Sequence, residues 1–562
     1  MFSQWRQHIQ RVKSVAMVSV IAGLVMGPSL SHAVLTDSLG IGNAKALSLA
    51  HAVTADPPGI DSIHFNPAGL VKLKGRQRQI KVISGSFDIT LELGDYNQQR
   101  KNLLEQADTF YNDANFPIEL KEDYFYDESH NSTSETEGAS MMMPFFGMQD
   151  LPVLLFPIGG ASYSAPESNV TFGTNVYTPL AAGFYRADDD PGRFIGQRLS
   201  FMLLTYFSPS IAVQVTDEFS FGASINFNYA GVGLELPFRS PHIGIWALPG
   251  LQDGVGCEDE IDGQLVNLCG QLNPYDVIGT LSFEVEKQLA FGFNVGFLWE
   301  PTPWFAFGFV YQSPVSMAME GDYQWVNEQG WVDFITPLAN PDPNSADPLA
   351  QITKFVLAGI GIEGIPVSEG TAFLDMEMPE HYSFGVSLQL TPQFKVNVDY
   401  KFTAWSAWQG IPVEFSESID LLALAGVIQS DMATSNSLTF PLGLEDTWNW
   451  AAGFEYAYSD RLDLRFGIED RPSSIPEEAR SPLLPIGSGL FYGLGFGYKL
   501  DSGAQWDVGL AYFSSEVEMP GGSSRLGNSN DGSLVIYNPF PGQDITATLE
   551  VILFEMSYRS EF

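Results

Sequence analysis

Residues 546–562 read TATLEVILFEMSYRSEF, and this C-terminal stretch decides the fold. From position 552 onward, alternate positions are apolar and the intervening ones are polar: Ile552, Phe554, Met556, Tyr558 and Phe562 oppose Glu555, Ser557, Arg559 and Glu561, with Ser560 the one departure. A period of two residues is that of a β-strand. An alternating strand that ends the chain on an aromatic residue favours a transmembrane barrel, although an edge strand of a soluble sandwich would also alternate.

The composition fits a chain that is half apolar on its surface. Phe 41, Tyr 21 and Trp 11 make the chain rich in aromatic residues, and only 17% of its 562 residues are charged. A typical soluble domain has about 25% charged residues. The net charge of −40 argues against a nucleic-acid partner, because phosphate contacts require Lys and Arg.

The N-terminus predicts export. Three basic residues within the first 13 precede the apolar run 15–26, and Ser31-His32-Ala33 supplies small residues for cleavage. We predict a signal peptide over 1–33, with a membrane anchor as the alternative. After it, the longest uncharged run, 199–216, contains Pro209, so a membrane-embedded mature chain is expected to cross as strands.

Two regions follow the signal peptide. Residues 34–75 are rich in Ala and Gly and lack sustained alternation, which predicts a compact N-terminal segment. Residues 76–562 contain repeated alternating segments, which predict an all-β antiparallel barrel of about fourteen strands. The predicted strands lie near 77–93, 153–165, 169–186, 198–214, 218–237, 280–298, 304–320, 371–390, 394–408, 446–458, 462–472, 488–500, 504–519 and 544–562.

The connections between these strands alternate in length. Short links such as Thr216-Asp217-Glu218, Thr391-Pro392-Gln393 and Asp501-Ser502-Gly503 alternate with long ones such as 94–152 and 238–279. Short turns on one side of a membrane and long loops on the other are typical of Gram-negative outer-membrane barrels. We therefore predict the cell outer membrane as the location.

One face of the strands is predicted to be lipid-facing and the other to line a polar lumen. Five charged residues fall on the inward face: Lys395, Asp399, Asp463, Arg465 and Arg559. An apolar compound gains nothing by passing straight down such a lumen.

The sequence contains no catalytic or metal-binding motif of recognisable spacing. The seven His form no His-Glu-x-x-His pattern, and no Gly-x-Ser-x-Gly elbow accompanies them. We predict that the protein is not an enzyme and has no cofactor and no metal. An outer-membrane lipase remains an alternative, because a triad is defined by geometry. Cys257 and Cys269 are expected to form a loop disulfide, with two free thiols as the alternative.

Two long loops are unusually apolar for segments that face water. Such loops either pack on each other or hold an apolar ligand. As candidate ligand-binding residues we identify Ile243, Ile245, Trp246, Leu248, Phe334, Phe355, Val356 and Ile360.

The third predicted strand contains a proline, Pro179, between Val176 and Gly183. Proline cannot donate to a strand ladder, so it predicts a kink or a local gap in pairing. A gap in a barrel wall would be a lateral opening, and we assign Val176, Tyr177, Pro179 and Gly183 to it.

Five motifs occur in order along the mature chain: NPAGL at 66–70, GTNVYTP at 173–179, PSIA at 209–212 leading into TDEFSFG, WS at 405–406 and LRFG at 464–467. Together they resemble the FadL/TodX family of outer-membrane transporters for long-chain fatty acids and hydrocarbons.

The resemblance implies a fourteen-stranded barrel closed by an N-terminal hatch, here 34–75, with a gate at Asn66, Pro67 and Ala68. It also implies capture of hydrophobic small molecules, whether fatty acids, alkanes or aromatics, in a groove between two extracellular loops, and lateral release at strand three. Further expected partners are outer-membrane lipid and lipopolysaccharide, and we expect a monomer. The alternatives are an open porin and a surface adhesin or receptor.

Overall fold

The computed structural model describes residues 42–113, 127–152, 154–240, 258–261, 264–267, 272, 275–339 and 355–562. Within these residues, fourteen antiparallel strands form one closed barrel. The first strand, β1 (Gly75–Tyr96), pairs with the last, β14 (Gln543–Glu561), along nearly its whole length, which closes the sheet. The barrel predicted from the C-terminal alternation is therefore confirmed. The predicted signal peptide lies outside the described residues.

Six of the fourteen strands consist of two pieces separated by a short interruption. The remaining strands are β2 (Leu154–Ser164), β3 (Val170–Asn175, Tyr177–Tyr185), β4 (Arg198–Phe207, Ser210–Gln214), β5 (Phe219–Arg239), β6 (Val277–Thr302), β7 (Phe305–Gln312, Val315–Asn327), β8 (Val367–Met378, His381–Thr391), β9 (Phe394–Thr403, Gly410–Phe415), β10 (Ser437–Pro441, Thr447–Ala457), β11 (Leu462–Arg471), β12 (Gly489–Lys499) and β13 (Gln505–Met519).

Several strands extend farther toward the long loops than the sequence predicted. β7 reaches Asn327, not 320, and β8 begins at Val367, not 371. In these extensions outward side chains such as Asp322 and Gln324 are exposed and polar, while inward ones such as Tyr323 and Trp325 are buried. The pattern is the inverse of the lipid-facing pattern, and it obscured the strand ends.

The lumen has two halves of different character. Toward the short turns a cavity of about 310 Å³ is lined largely by charged side chains, among them Lys45, Lys72, Glu455, Asp463, Arg465, Lys499, Asp507 and Arg559. Toward the long loops the interior is a continuous apolar core that includes Phe201, Phe283, Trp325, Trp408 and Phe513. The prediction of a polar lumen thus holds for one half only, because the strand extensions turn apolar side chains inward.

Helices are confined to the N-terminal segment and the loops of the described chain. They are α1 (Ala44–Ser48), α2 (Ser62–Phe65), α3 (Gln98–Asp113), α4 (Gln329–Ala339) and α5 (Asp420–Ile428), with 3-10 turns at Gly59–Asp61, Pro67–Lys72, Pro191–Phe194, Trp405–Ala407 and Glu477–Ala479. Residues 355–360 are also helical. Within the described ranges, no helix is both long and apolar enough to cross a membrane.

Pairing between β2 and β3 is short. The two strands form a ladder only from Gly160–Asn175 to Tyr163–Phe172. Beyond it, the second piece of β3 pairs with β4. Among the described residues, this piece forms no ladder with β2. A short strand of the first loop, Ser132–Glu135, pairs with β1 instead.

Candidate functional site

The N-terminal segment occupies the barrel interior. Residues 42–74, the described part of the predicted hatch, are almost entirely buried. Asn43 caps α1 by accepting a hydrogen bond from the Ala46 amide at 2.9 Å, and Asn66 caps the 3-10 turn that begins at Pro67. Side-chain caps satisfy amides that such short helical turns leave without a partner. The segment is therefore a series of capped turns that fit within the lumen.

Inward-facing glycines bring the hatch backbone close to the wall. An ideal Cβ on Gly222 of β5 would lie 2.2 Å from the carbonyl carbon of Pro67, and one on Gly467 of β11 would lie 2.2 Å from that of Leu49. No side chain fits at these distances. The same close approach occurs at Gly308, Gly385, Gly493 and Gly509, so these glycines form a belt around the hatch.

The predicted gate residues are held against β5 and β6. The Asn66 side chain donates to the carbonyl oxygens of Thr54 at 2.9 Å and Phe297 at 3.0 Å. Gly296 leaves room for it, because an ideal Cβ there would lie 2.4 Å from Asn66 Oδ1. Asn66, Pro67 and Ala68 therefore form one backbone segment fixed by side-chain hydrogen bonds, and their role as a gate stays a prediction.

A carboxylate of the wall anchors a second point of the hatch. Asp399 of β9 accepts hydrogen bonds from the Val53 and Thr54 amides, both at 2.9 Å, and it is fully buried. Charge-assisted bonds of this kind are stronger than neutral ones. The prediction that Asp399 faces inward is confirmed by these contacts.

A buried charged cluster lies beside the hatch residue His51. Glu469 of β11 contacts Lys401 Nζ at 2.8 Å and Arg471 Nη2 at 2.7 Å, and it accepts from Asn449 at 2.7 Å. His51 Nδ1 lies 3.5 Å from Glu469 Oε2. The cluster joins three barrel strands to the hatch at a site from which water is excluded.

Docking of the hatch is expected to weaken in acid because of His51. Burial lowers the pKa of His51 to about 4, although the Glu469 carboxylate opposes the shift. An unfolded His has a pKa near 6.5, so protonation disfavours the docked state. The contribution of neutral His51 to the free energy of unfolding is fully present above pH 6.5. It declines by about 3 kcal/mol as the pH falls toward 4. Urea unfolding at several pH values measures this loss. His51→Asn, which has no titratable group and tolerates the positive φ of 59° at this position, should reduce it.

The hatch meets the interrupted strand β3 around Tyr177. The Tyr177 ring lies 4.9 Å from the His64 ring, and Pro179 falls in a register shift between β3 and β4. A cavity of about 50 Å³ is lined by His64, Tyr177, Pro179 and His381. Of the predicted lateral-opening residues, Tyr177 and Pro179 are thus brought next to the hatch, whereas the Val176 amide donates to Gly159 of β2 at 3.1 Å.

A hairpin of the first loop covers the outer face of β3 to β5. Phe201 of β4 packs on Trp408 across the lumen, with ring centroids 6.1 Å apart, so its neighbour Ser200 points outward. Ser200 Oγ accepts from the Met142 amide at 2.7 Å. The hairpin consists of Ala139–Met143 and Gly147–Leu151. An ideal Cβ on Gly183 would lie 2.0 Å from Ser140 O, so this predicted opening residue contacts the hairpin.

The structure brings the candidate groove residues together only in part. Ile243, Ile245, Trp246 and Leu248 lie outside the described residues, as do Cys257 and Cys269. Phe334 in α4 is buried in the apolar core, and Ile360 packs against that core. Phe355 and Val356 are exposed, at 81% and 52%. Ligand binding by these loops stays a prediction.

Sequence reasoning missed the residues that attach the hatch to the wall. Gly222 and Gly467 were visible as small residues on inward faces, and that pattern was the available signal. The pairing of Lys401 with Glu469 depends on how β9 and β11 are placed around the barrel, which no local pattern reveals.

These features define a class: an outer-membrane β-barrel whose lumen holds an internal N-terminal segment beneath an apolar core. The chain belongs to the outer membrane protein transport protein family (OMPP1/FadL/TodX), whose model matches residues 33–562. The NPA segment of the hatch, held against the wall, and the interrupted β3 described above lie within this match.

Individual relatives are distant. A long-chain fatty acid transport protein of Salmonella typhi is 22% identical over 343 residues, which are 54% of this chain and 68% of that protein. A protein of the same name from Escherichia coli O6:H1 is 22% identical over 62% of this chain and 65% of its own length.

Solved structures share the fold. A Pseudomonas aeruginosa FadL homologue superposes with a TM-score of 0.60 at 16% identity, covering 95% of this chain and 100% of that one. The Pseudomonas putida toluene transporter TodX gives a TM-score of 0.55 at 14% identity, covering 92% and 98%.

Proposed function

We propose that the protein carries hydrophobic compounds, either long-chain fatty acids or monoaromatic hydrocarbons, across the outer membrane by lateral release at β3. The observation that carries this proposal is the apolar core of the long-loop half above a polar, closed half. The family and the names of the relatives support the two substrate classes. This role involves no catalysis.

Capture at the extracellular end needs no energy source. A hydrocarbon chain gains about 0.8 kcal/mol for each CH₂ that leaves water. The exposed Phe355 and Val356 offer apolar surface at this end, and the apolar core continues it inward. Binding energy is therefore available to drive cargo as far as the hatch.

The route below the hatch is unfavourable for such cargo. Lys395 is paired with Asp56 and Glu455, and Arg465 with Asp507, inside the lower lumen. Apolar cargo gains nothing among these charges. The short β2–β3 ladder supports a sideways exit into the apolar layer of the membrane, with movement of the hatch near Asn66 as the gate.

Uptake by a deletion strain complemented with the protein tests both substrate and route. We expect wild-type protein to restore uptake of labelled fatty acid or labelled toluene. In a double variant, Pro179→Val restores a backbone donor to β3. Gly183→Leu adds a side chain where an ideal Cβ would already lie 2.0 Å from Ser140 O and 2.6 Å from Leu199 O, so it crowds the proposed exit. Uptake should fall about tenfold or more, since overpacking costs about 1–3 kcal/mol.

The matched control is Gly196→Leu, because an ideal Cβ there meets only side chains, at 3.6 Å or more. The amount of folded barrel is followed by heat-modifiable migration in gels. Undiminished uptake by the double variant would reject the lateral route. Failure of the wild type to restore uptake of either compound would reject the function.

A further inference from the structure

A carboxylate of the hatch, Asp61, receives four hydrogen bonds from three parts of the chain. Its Oδ2 accepts from Asn43 of the hatch and Gln79 of β1, both at 2.6 Å. Its Oδ1 accepts from Asn175 of β3 at 2.6 Å and from Lys81 of β1. Asp61 is 1% exposed, so these bonds replace all of its hydration.

The β1 and β3 donors reach Asp61 across the intervening strand. Gln79 is the ladder partner of Gly160 in β2, and Gly160 is the ladder partner of Asn175. An ideal Cβ on Gly160 would lie 2.6 Å from Asn175 Oδ1. A glycine at this point of β2 therefore lets both amide side chains meet one carboxylate.

This row is also the last pair of the β2–β3 ladder. Above it only the Val176 amide still donates to Gly159, at 3.1 Å, before β3 continues with β4 alone. Asp61 thus holds the hatch to the three strands at the position where the wall separates.

The other carboxylate of residues 42–74 has a different position. Asp56 binds Lys45 at 2.8 Å and Lys395 of β9 at 2.9 Å. One carboxylate therefore ties the hatch to β9 and the other ties it to the β1–β3 row. A hatch that moves away from the wall must break bonds at the row where the ladder ends.

We propose that Asp61 and Asn175 are positioning residues that couple displacement of the hatch to opening of the β3 edge. With Asp61 in place, Asn175 is held over Gly160 and the ladder ends there. When the hatch moves and withdraws Asp61, Asn175 loses its hydrogen bond to that carboxylate. The Gly160–Asn175 pair can then separate, which lengthens the gap between β2 and β3. This inference rests on the proposed lateral route, for which it supplies the mechanical link.

Hydrogen exchange of the purified, detergent-solubilised protein tests the coupling without any transport assay. The reporter is the peptide that contains the Val176 amide. Gly222→Val displaces the hatch from β5, which is not one of the strands of this row. We expect Gly222→Val alone to raise the exchange rate at the reporter about tenfold. A tenfold ratio corresponds to about 1.4 kcal/mol, which is about the strength of one charge-assisted hydrogen bond.

Asn175→Ala removes only the β3 bond and leaves Asp61 three donors. In Asn175→Ala the exchange rate at the reporter should rise to a similar level. Adding Gly222→Val to Asn175→Ala should then change that rate less than twofold. The matched control is Gln79→Ala, which removes a bond of the same length while Lys81 still links Asp61 to β1. In this control, Gly222→Val should raise the exchange rate at the reporter as much as it does in the wild type.

The coupling would be overturned if Asn175→Ala left the reporter exchange rate unchanged. It would also be overturned if Gly222→Val still raised that rate about tenfold in the Asn175→Ala background. If Asn175→Ala lowers the yield of folded barrel, Asn175→Ser, which is also too short to reach Asp61, gives the same comparison. Coupling without uptake would leave this link intact and reject only the transport route.

Discussion

Gly222→Val is expected to increase the ion conductance of the barrel. The ideal Cβ would lie 2.2 Å from the Pro67 carbonyl carbon and 2.3 Å from the Ala68 nitrogen. Both are backbone atoms, and Asn66 next to them is fixed by two hydrogen bonds, so the hatch cannot yield by rotating a side chain. Overpacking of this kind costs about 1–3 kcal/mol, which raises the open fraction about fivefold or more.

Single-channel recording in planar bilayers measures the effect on Gly222→Val. The control is Ala223→Val, the adjacent residue of β5, which adds the same methyl groups on the lipid-facing side and should leave conductance at the wild-type level. A sealed Gly222→Val barrel of normal yield would mean that the hatch does not depend on its contact with β5.

The barrel was predictable from sequence because membrane strands carry a local signal. From Ile552 onward in β14, alternate side chains face lipid, so the period of two is plain in that part of the strand. The signal failed where β7 and β8 rise beyond the membrane, since Glu320 and Asp322 then face water and the apolar residues turn inward.

The site was less predictable because its contacts join distant parts of the chain. Asn66 lies in a recognisable motif, yet its partner Phe297 is 231 residues away. Asp61 depends on the register that aligns Gln79, Gly160 and Asn175 in one row. Inward glycines were the single local clue to the hatch contacts, and a glycine in a strand indicates close backbone approach only when its neighbour is known.

Glu469→Gln is expected to destabilise the barrel more than any exposed substitution. Glu469 is fully buried and neutralises both Lys401 and Arg471, which are 4% and 2% exposed. The amide leaves two buried cations without the carboxylate that contacts them both, and removing one partner from such a pair costs about 3–5 kcal/mol. Urea unfolding of the protein in detergent or lipid vesicles measures the loss.

Two comparisons separate the charge effect from a change of shape. Asp501→Asn breaks the exposed pair with Arg461 and should cost about 0–1 kcal/mol. Adding Lys401→Gln to Glu469→Gln removes one stranded cation and should recover part of the lost stability, because the cost comes from unpaired charge. Equal stability of Glu469→Gln and Asp501→Asn would show that the cluster does not hold β9, β10 and β11 together around the hatch.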